Sequence, residues 1–257
     1  MSSSKLFTII LFSLTLSLIL QTSSGANPLF RFCSSSEYFS QNSPYESYLK
    51  RLSNSLIYST PQTGFSVSIA GKYRNQHGVY GLANGVYGLA LCRGDVSNNV
   101  STLDCKTCVS EATKEIRSLC PYNKGAIIWY DYCMFKYLDT KFFGYIDKIN
   151  TYCYTGIGNS GSDPATFYYK TKKFLNQLAE KASVNPKLYA TGELKIEESE
   201  KLYGLTQCTK DLSRSDCKKC LDDIINPIPN CWEGAKGGRI LGGSCNFRYE
   251  TYPFFKE

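Results

Sequence analysis

The sequence predicts an α+β protein of two similar halves, each with two helices packed against an antiparallel sheet. Three observations predict it. First, the 12 cysteines of the 257-residue chain fall into two sets of six with matching spacing. They are Cys33, Cys92, Cys105, Cys108, Cys120 and Cys133, then Cys153, Cys208, Cys217, Cys220, Cys231 and Cys245; the last three intervals are 3, 12 and 13 residues in one set and 3, 11 and 14 in the other. Second, Tyr87-Gly88-Leu89-Ala90-Leu91-Cys92 parallels Tyr203-Gly204-Leu205-Thr206-Gln207-Cys208, and each is followed by a Ser-x-x-Asp-Cys-x-x-Cys box. Third, apolar residues recur at helical spacing early in each half and alternate later. Repetition on this scale marks a tandem duplication.

Residues 1–26 are set apart from the fold. Lys5 precedes an apolar run from Leu6 to Leu20, and small polar residues lead to Gly25-Ala26. That is the pattern of a secretory signal peptide, with cleavage near Gly25 or Ala26. The run is short for a membrane span, which needs about 20 residues. No second such run follows, so the mature chain is expected to be secreted and free of a membrane span. In an oxidising compartment an even cysteine set reads first as disulfides.

The first domain is placed at 27–140. Pro44 suits a first helical turn, and Tyr45, Tyr48, Leu49, Leu52 and Leu56 form the buried stripe of the helix behind it. Phe65–Ile69 alternates as a strand. Ser101 is positioned to cap a second helix, with Asp104 answering three residues on and an apolar face of Cys108, Val109, Ala112 and Ile116. Gly125–Tyr132 is in part a strand. The second domain is placed at 141–257. Its first helix starts at Pro164 and buries Phe167, Thr171, Phe174, Leu175, Leu178 and Ala182. Ser213 caps the second, which runs through Cys220, Leu221 and Ile224. Arg239–Tyr252 contains further strand, and the Gly237-Gly238 and Gly242-Gly243 pairs suit hairpin turns.

Composition limits the chemistry. A single histidine, His77, in a polar segment, excludes a histidine-rich metal centre. A net charge of +7 with both signs interspersed points to acidic polymers or wall-like surfaces as partners, and not to nucleic acid. The two C-x2-C pairs invite comparison with redox and zinc sites, but each half holds four further cysteines that need partners. No G-x-S-x-G elbow occurs. Asp222, Asp223 and Glu250 are among the candidate carboxylates for glycosidase chemistry, and the first two read as a solvated helix face. No catalytic residue, metal site or cofactor is assigned, and the chain is read as non-enzymatic.

Cys208-x8-Cys217-x2-Cys220 resembles the C-x8-C-x2-C signature of the plant Gnk2-homologous domain, also called the DUF26 or stress-antifungal domain. The stretches Tyr87–Asp95, Ile127–Asp131 and Cys245–Glu250 are also similar to it. The tandem arrangement resembles the cysteine-rich repeat secretory proteins of plants. That resemblance implies a five-stranded antiparallel sheet with two helices per domain and three disulfides in each. Carried over, these are Cys33–Cys120, Cys92–Cys105 and Cys108–Cys133, then Cys153–Cys231, Cys208–Cys217 and Cys220–Cys245.

It further implies a role outside the cell, in the apoplast, in stress or defence. Candidate partners are a cell-wall or fungal glycan, a receptor-like kinase ectodomain, or another copy of the chain. A mannose-binding antifungal family member uses an Asn, an Arg and a Glu. In the second domain these positions hold Tyr154, Arg239 and Glu250, so two of three are kept. In the first they hold Ser34, Ile127 and Leu138, and the set is lost. Arg239 and Glu250 also admit a plainer reading, as a structural ion pair. A third possibility is a purely structural or oligomerising module.

Two local features depart from the pattern. Twelve residues separate Cys92 from Cys105 against eight in the second domain, and that loop carries the sequon Asn99-Val100-Ser101. Gly78–Asn84 is also repeated almost unchanged as Gly85–Leu91. The copy next to Cys92 is expected to be the native strand. Because seven is odd, an in-line extension flips the strand faces. The upstream copy is therefore expected to loop out or to turn at Asn84-Gly85.

Overall fold

The computed structural model describes residues 27–34, 37–76, 79–95, 102–156, 163–196, 200–226 and 235–255. His77, Asn99, Ser101 and Cys231 lie outside them. The first half runs β1 (Phe30–Cys33), α1 (Pro44–Thr63), β2 (Phe65–Gln76), β3 (Val79–Cys92), α2 (Thr102–Leu119), β4 (Ala126–Trp129) and β5 (Cys133–Leu138). The second runs β6 (Thr151–Thr155), α3 (Pro164–Val184), β7 (Tyr189–Lys195), β8 (Lys201–Cys208), α4 (Arg214–Ile225), β9 (Gly238–Gly242) and β10 (Cys245–Glu250). Each half forms one five-stranded antiparallel sheet, ordered β1-β4-β5-β3-β2 and β6-β9-β10-β8-β7.

The helices start where local chemistry favours it. The Ser43 hydroxyl accepts the Glu46 N–H, with Pro44 in the first turn, and the Ser213 hydroxyl accepts the Asp216 N–H at 3.1 Å. Gly64 closes α1 at φ 73°, where an L side chain is strained. The α1 stripe of Tyr45, Tyr48, Leu49, Leu52 and Leu56 is buried against the sheet, as is the α3 stripe of Phe167, Thr171, Phe174, Leu175, Leu178 and Ala182.

Disulfides join the helices to the sheets. Cys92 bonds Cys105 and Cys108 bonds Cys133, and the second domain repeats this with Cys208–Cys217 and Cys220–Cys245. Cys33–Cys120 ties the edge strand β1 to the end of α2. Cys153 is disulfide-bonded as well.

The duplicated segment departs from the expected loop. β2 and β3 pair from Phe65↔Leu91 out to Gln76↔Val79, so the upstream copy extends the strand in line and no turn forms at Asn84-Gly85. The register shifts by one residue between Ala70↔Val86 and Lys72↔Ala83. A bulge of this kind supplies the odd residue that a seven-residue repeat requires, which removes the parity objection to an in-line strand.

Each sheet has two faces, both covered over its central strands, while Val67 and Ile69 on the edge strand β2 are exposed. One carries its own helices, over cores that include Phe135 and Tyr137 in the first domain and Phe247 and Tyr249 in the second. The opposite faces meet between the domains. There Leu89, Leu91, Ile127, Trp129 and Met134 of the first sheet cluster with Leu241 of the second. Phe30 stacks on Tyr152 at 3.5 Å between centroids. The Trp129 indole N–H donates to the Gly242 carbonyl at 3.3 Å. Gln207 bridges the seam, donating to the Cys92 carbonyl at 3.0 Å and accepting the Gly94 N–H at 3.2 Å. Gly94 is required there, because a Cβ at this position would lie 2.4 Å from the Tyr189 ring. The connection 139–150 is anchored by Asp147, which ion-pairs with buried Lys136 at 2.6 Å, accepts two backbone N–H groups and donates its own N–H to the Ser244 hydroxyl.

Candidate binding site at the domain interface

Strand parity decides where the candidate sugar-binding residues sit. On β10, Cys245, Phe247 and Tyr249 face the helices, so Arg248 and Glu250 face the first domain. Arg239 on β9 lies directly opposite Arg248, and Tyr154 on β6 lies opposite Arg239. Two arginines side by side on neighbouring strands repel one another unless an anion is brought between them.

The first domain supplies that anion. Asp131, in the turn between β4 and β5, accepts Arg239 Nη1 at 2.6 Å and Arg248 Nη1 at 3.2 Å on one oxygen. Its other oxygen accepts Arg93 Nη1 at 3.3 Å. Arg93 also makes a forked pair with Asp95, at 2.7 and 2.9 Å, and donates to the Phe254 carbonyl at 3.0 Å. Arg248 donates through Nε to Glu250 at 2.9 Å and through Nη2 to the Tyr252 hydroxyl at 3.1 Å. Arg239 and Glu250 are 3.9 Å apart, a weaker contact than either makes elsewhere. The Phe254 ring covers Arg248 at 4.1 Å, and Tyr154 lies 5.4 Å from the Arg239 guanidinium.

Three guanidinium groups and three carboxylates thus satisfy one another. Burial pushes the Asp131 carboxyl up, but Arg239, Arg248 and Arg93 outweigh burial and hold it below the usual carboxylate range. Burial likewise pulls Arg93 down, and Asp95 with Asp131 more than reverses it. Beneath the network lies a cavity of about 50 Å³, lined in part by Trp129, Met134, Leu205 and Leu241. Small-molecule sites usually run from about 300 to 1,000 Å³. This one has room for a few waters.

The structure therefore brings Tyr154, Arg239 and Glu250 together, but with Arg239 and Glu250 on the covered face and only Tyr154 substantially exposed, at 41%. In the first domain Ile127 is buried in the seam and pairs with Phe32, while Ser34 bonds Gly125 farther along the edge. Asp222 is held by Lys218 at 2.6 Å, and Asp223 is exposed on α4. Among the described residues no group of three or more His, Cys, Asp or Glu is placed to hold a metal ion, and no helix is long and apolar enough to cross a membrane. Sequence reasoning missed Arg93, Asp95, Asp131 and Arg248 as parts of one site. A signal was available: Arg248 and Glu250 two apart on one strand, with Arg239 on its neighbour, leave one cation short of a partner.

The comparisons with known proteins agree with this architecture. The family profile described as "Salt stress response/antifungal" matches twice, over residues 32–140 and 152–252. The antimicrobial ginkbilobin-2-like protein of Castanea crenata is 48% identical, with 94% of each chain covered. Cysteine-rich repeat secretory protein 38 of Arabidopsis thaliana is 46% identical over 95% of this chain and 92% of the relative. In fold, the tandem DUF26 ectodomain of the Arabidopsis thaliana receptor-like protein PDLP8 superposes with a TM-score of 0.71 at 22% identity, covering 88% of this chain and 98% of that one. That of PDLP5 superposes with a TM-score of 0.65 at 26% identity, covering 88% and 100%. With two matched repeats, paired sheets and the disulfides that staple them, the chain belongs to the plant salt stress response/antifungal (Gnk2-homologous, DUF26) family in its tandem, cysteine-rich repeat form.

Proposed function

We propose that this chain is a secreted, non-enzymatic recognition protein of the plant cell exterior, acting in defence by binding a glycan or protein partner through its outward surfaces. The observation that carries this reading is the network around Asp131, which commits Arg239 and Glu250 to the domain interface. In this reading they clamp the tandem into one rigid body and are not an open mannose site. The 48% identical relative named as antimicrobial supports the setting in defence. The test pairs two measurements on the secreted protein: capture against wall glycans and receptor ectodomains, and titration with mannose. A recovered partner with no mannose binding at millimolar sugar is the expected result. Saturable mannose binding abolished by Arg239→Ala would contradict it and favour the lectin-like antifungal reading, which the retained Arg239 and Glu250 also suggest.

A further inference from the structure

A second concavity lies far from the clamp, on the outward side of the first domain. There α1 and α2 pack against each other over the sheet, and a cavity of about 530 Å³ opens between them. That volume is within the usual span for small-molecule sites. Leu49 and Ser53 of α1 reach its lining from below. Ser53 is buried, and its hydroxyl has no hydrogen-bond partner. Its oxygen is closed off from the groove, as those of Thr60 and Thr206 are from solvent, so Ser53 shapes the floor, and the Ser110, Thr113 and Ser118 hydroxyls complete the polar lining.

The charges along the groove are unbalanced. Glu46 is its one carboxylate and is already engaged: one oxygen accepts Arg117 at 2.9 Å, the other the Asn42 N–H at 2.7 Å. Lys50 on α1 and Lys114 on α2 are exposed on either side and form no ion pair among the described residues. The Tyr122 ring, 45% exposed, meets Phe39 edge-on at one end. The equivalent α3–α4 seam of the second domain also opens a cavity, of about 420 Å³, but two of its lysines are engaged. There Lys218 bonds Asp222 and reaches Glu180 on α3, while Lys172 donates to the Asn226 carbonyl, so the α3–α4 seam is bridged by its own side chains.

Two uncompensated ammonium groups, side-chain hydroxyls and an exposed ring form a distinctive set. The ammoniums attract a carboxylate. The hydroxyls bond sugar hydroxyls, and the ring packs against C–H groups. A neutral saccharide leaves the lysines unused. We propose that the α1–α2 groove of the first domain binds a carboxylate-bearing saccharide, a short uronic-acid oligomer. This rests on the recognition reading above and names its ligand class.

The test is calorimetric titration of the full secreted chain with a hexuronate trimer and with the neutral hexose trimer of the same linkage. Saturable binding of the acidic trimer alone is expected, weakened at least tenfold by Lys50→Glu/Lys114→Glu with the unfolding midpoint unchanged. Ser53→Leu, which fills the floor, should also weaken it. Equal binding of the two trimers, or unchanged affinity in the charge-reversed variant, overturns the assignment. No acidic-trimer binding, alongside a partner recovered by capture, overturns the groove and leaves the recognition reading standing. Failure of both experiments overturns both.

Discussion

Arg239 and Arg248 face each other across two strands, and Asp131 is what makes that pairing tolerable. Removing the acid leaves two neighbouring guanidinium groups and Arg93 short of a partner. Asp131→Asn should therefore cost about 2–4 kcal/mol in urea unfolding, since breaking a partly buried ion network exposes the penalty of the charges left behind. A cost below about 0.5 kcal/mol would contradict the clamp. Acid should act the same way. Because the folded Asp131 carboxyl lies below its ordinary value, its stabilisation is complete above the unfolded carboxylate pKa and is lost as pH falls through the folded one. Stability is then expected to be flat with respect to this group from pH 7 to 5 and to drop below about pH 4. Asp131→Asn should show a shallower drop in acid unfolding. Arg239 and Glu250 were legible in the sequence because a cysteine pattern locates them. Asp131 was not, because it lies 108 residues from Arg239 in the other domain and only the docked sheets bring it close.

At the level of elements, helix patterns are legible in the sequence and strand extensions less so. The α1 and α3 stripes are short-range periodicities, and burial follows them residue by residue. The upstream end of β3 departs from strict parity because one register shift supplies a bulge, which no sequence pattern marks. Only the downstream copy, from Tyr87 to Cys92, pairs with β5 as well as β2. Deleting residues 78–84 removes only the outer end of the β2–β3 hairpin and keeps the pairing of Phe65–Ala70 with Val86–Leu91, so it should leave disulfide formation intact and change stability by no more than about 1 kcal/mol, the cost of closing a modestly longer loop being small. Loss of the cooperative unfolding transition would show that the extension is structural. By contrast, Cys33→Ser/Cys120→Ser opens a loop with a sequence separation of 87. Chain-entropy arguments put that at about 4–5 kcal/mol. Thermal unfolding of the double variant measures it directly.

For the whole molecule, the deciding feature is that the central strands of the sheets are covered on both faces. All four residues of β4, Ala126–Trp129, are buried, as are five of the six in β5. A sheet with one wet face would alternate instead. The continuous apolar run Ala126-Ile127-Ile128-Trp129 carried that information, but a short run of this kind does not say what covers it. Polar Gln207, Arg239, Arg248 and Glu250 on the partner face obscured the match further, because an interface is commonly expected to be apolar on both sides. Trp129 contributes packing and one hydrogen bond across the seam. Trp129→Ala should cost about 3–5 kcal/mol, with both domains unfolding in a single transition by calorimetry. Two separated transitions in the parent protein would indicate independent domains.

The most direct test of the clamp is a double-mutant cycle between Asp131→Ala and Arg239→Ala, read by denaturant unfolding. Residues that share one charge network couple by about 0.5–3 kcal/mol. A coupling of at least about 1 kcal/mol is predicted. Simple additivity of the two substitutions would mean that Arg239 does not hold the domains together, and the interface account would fail.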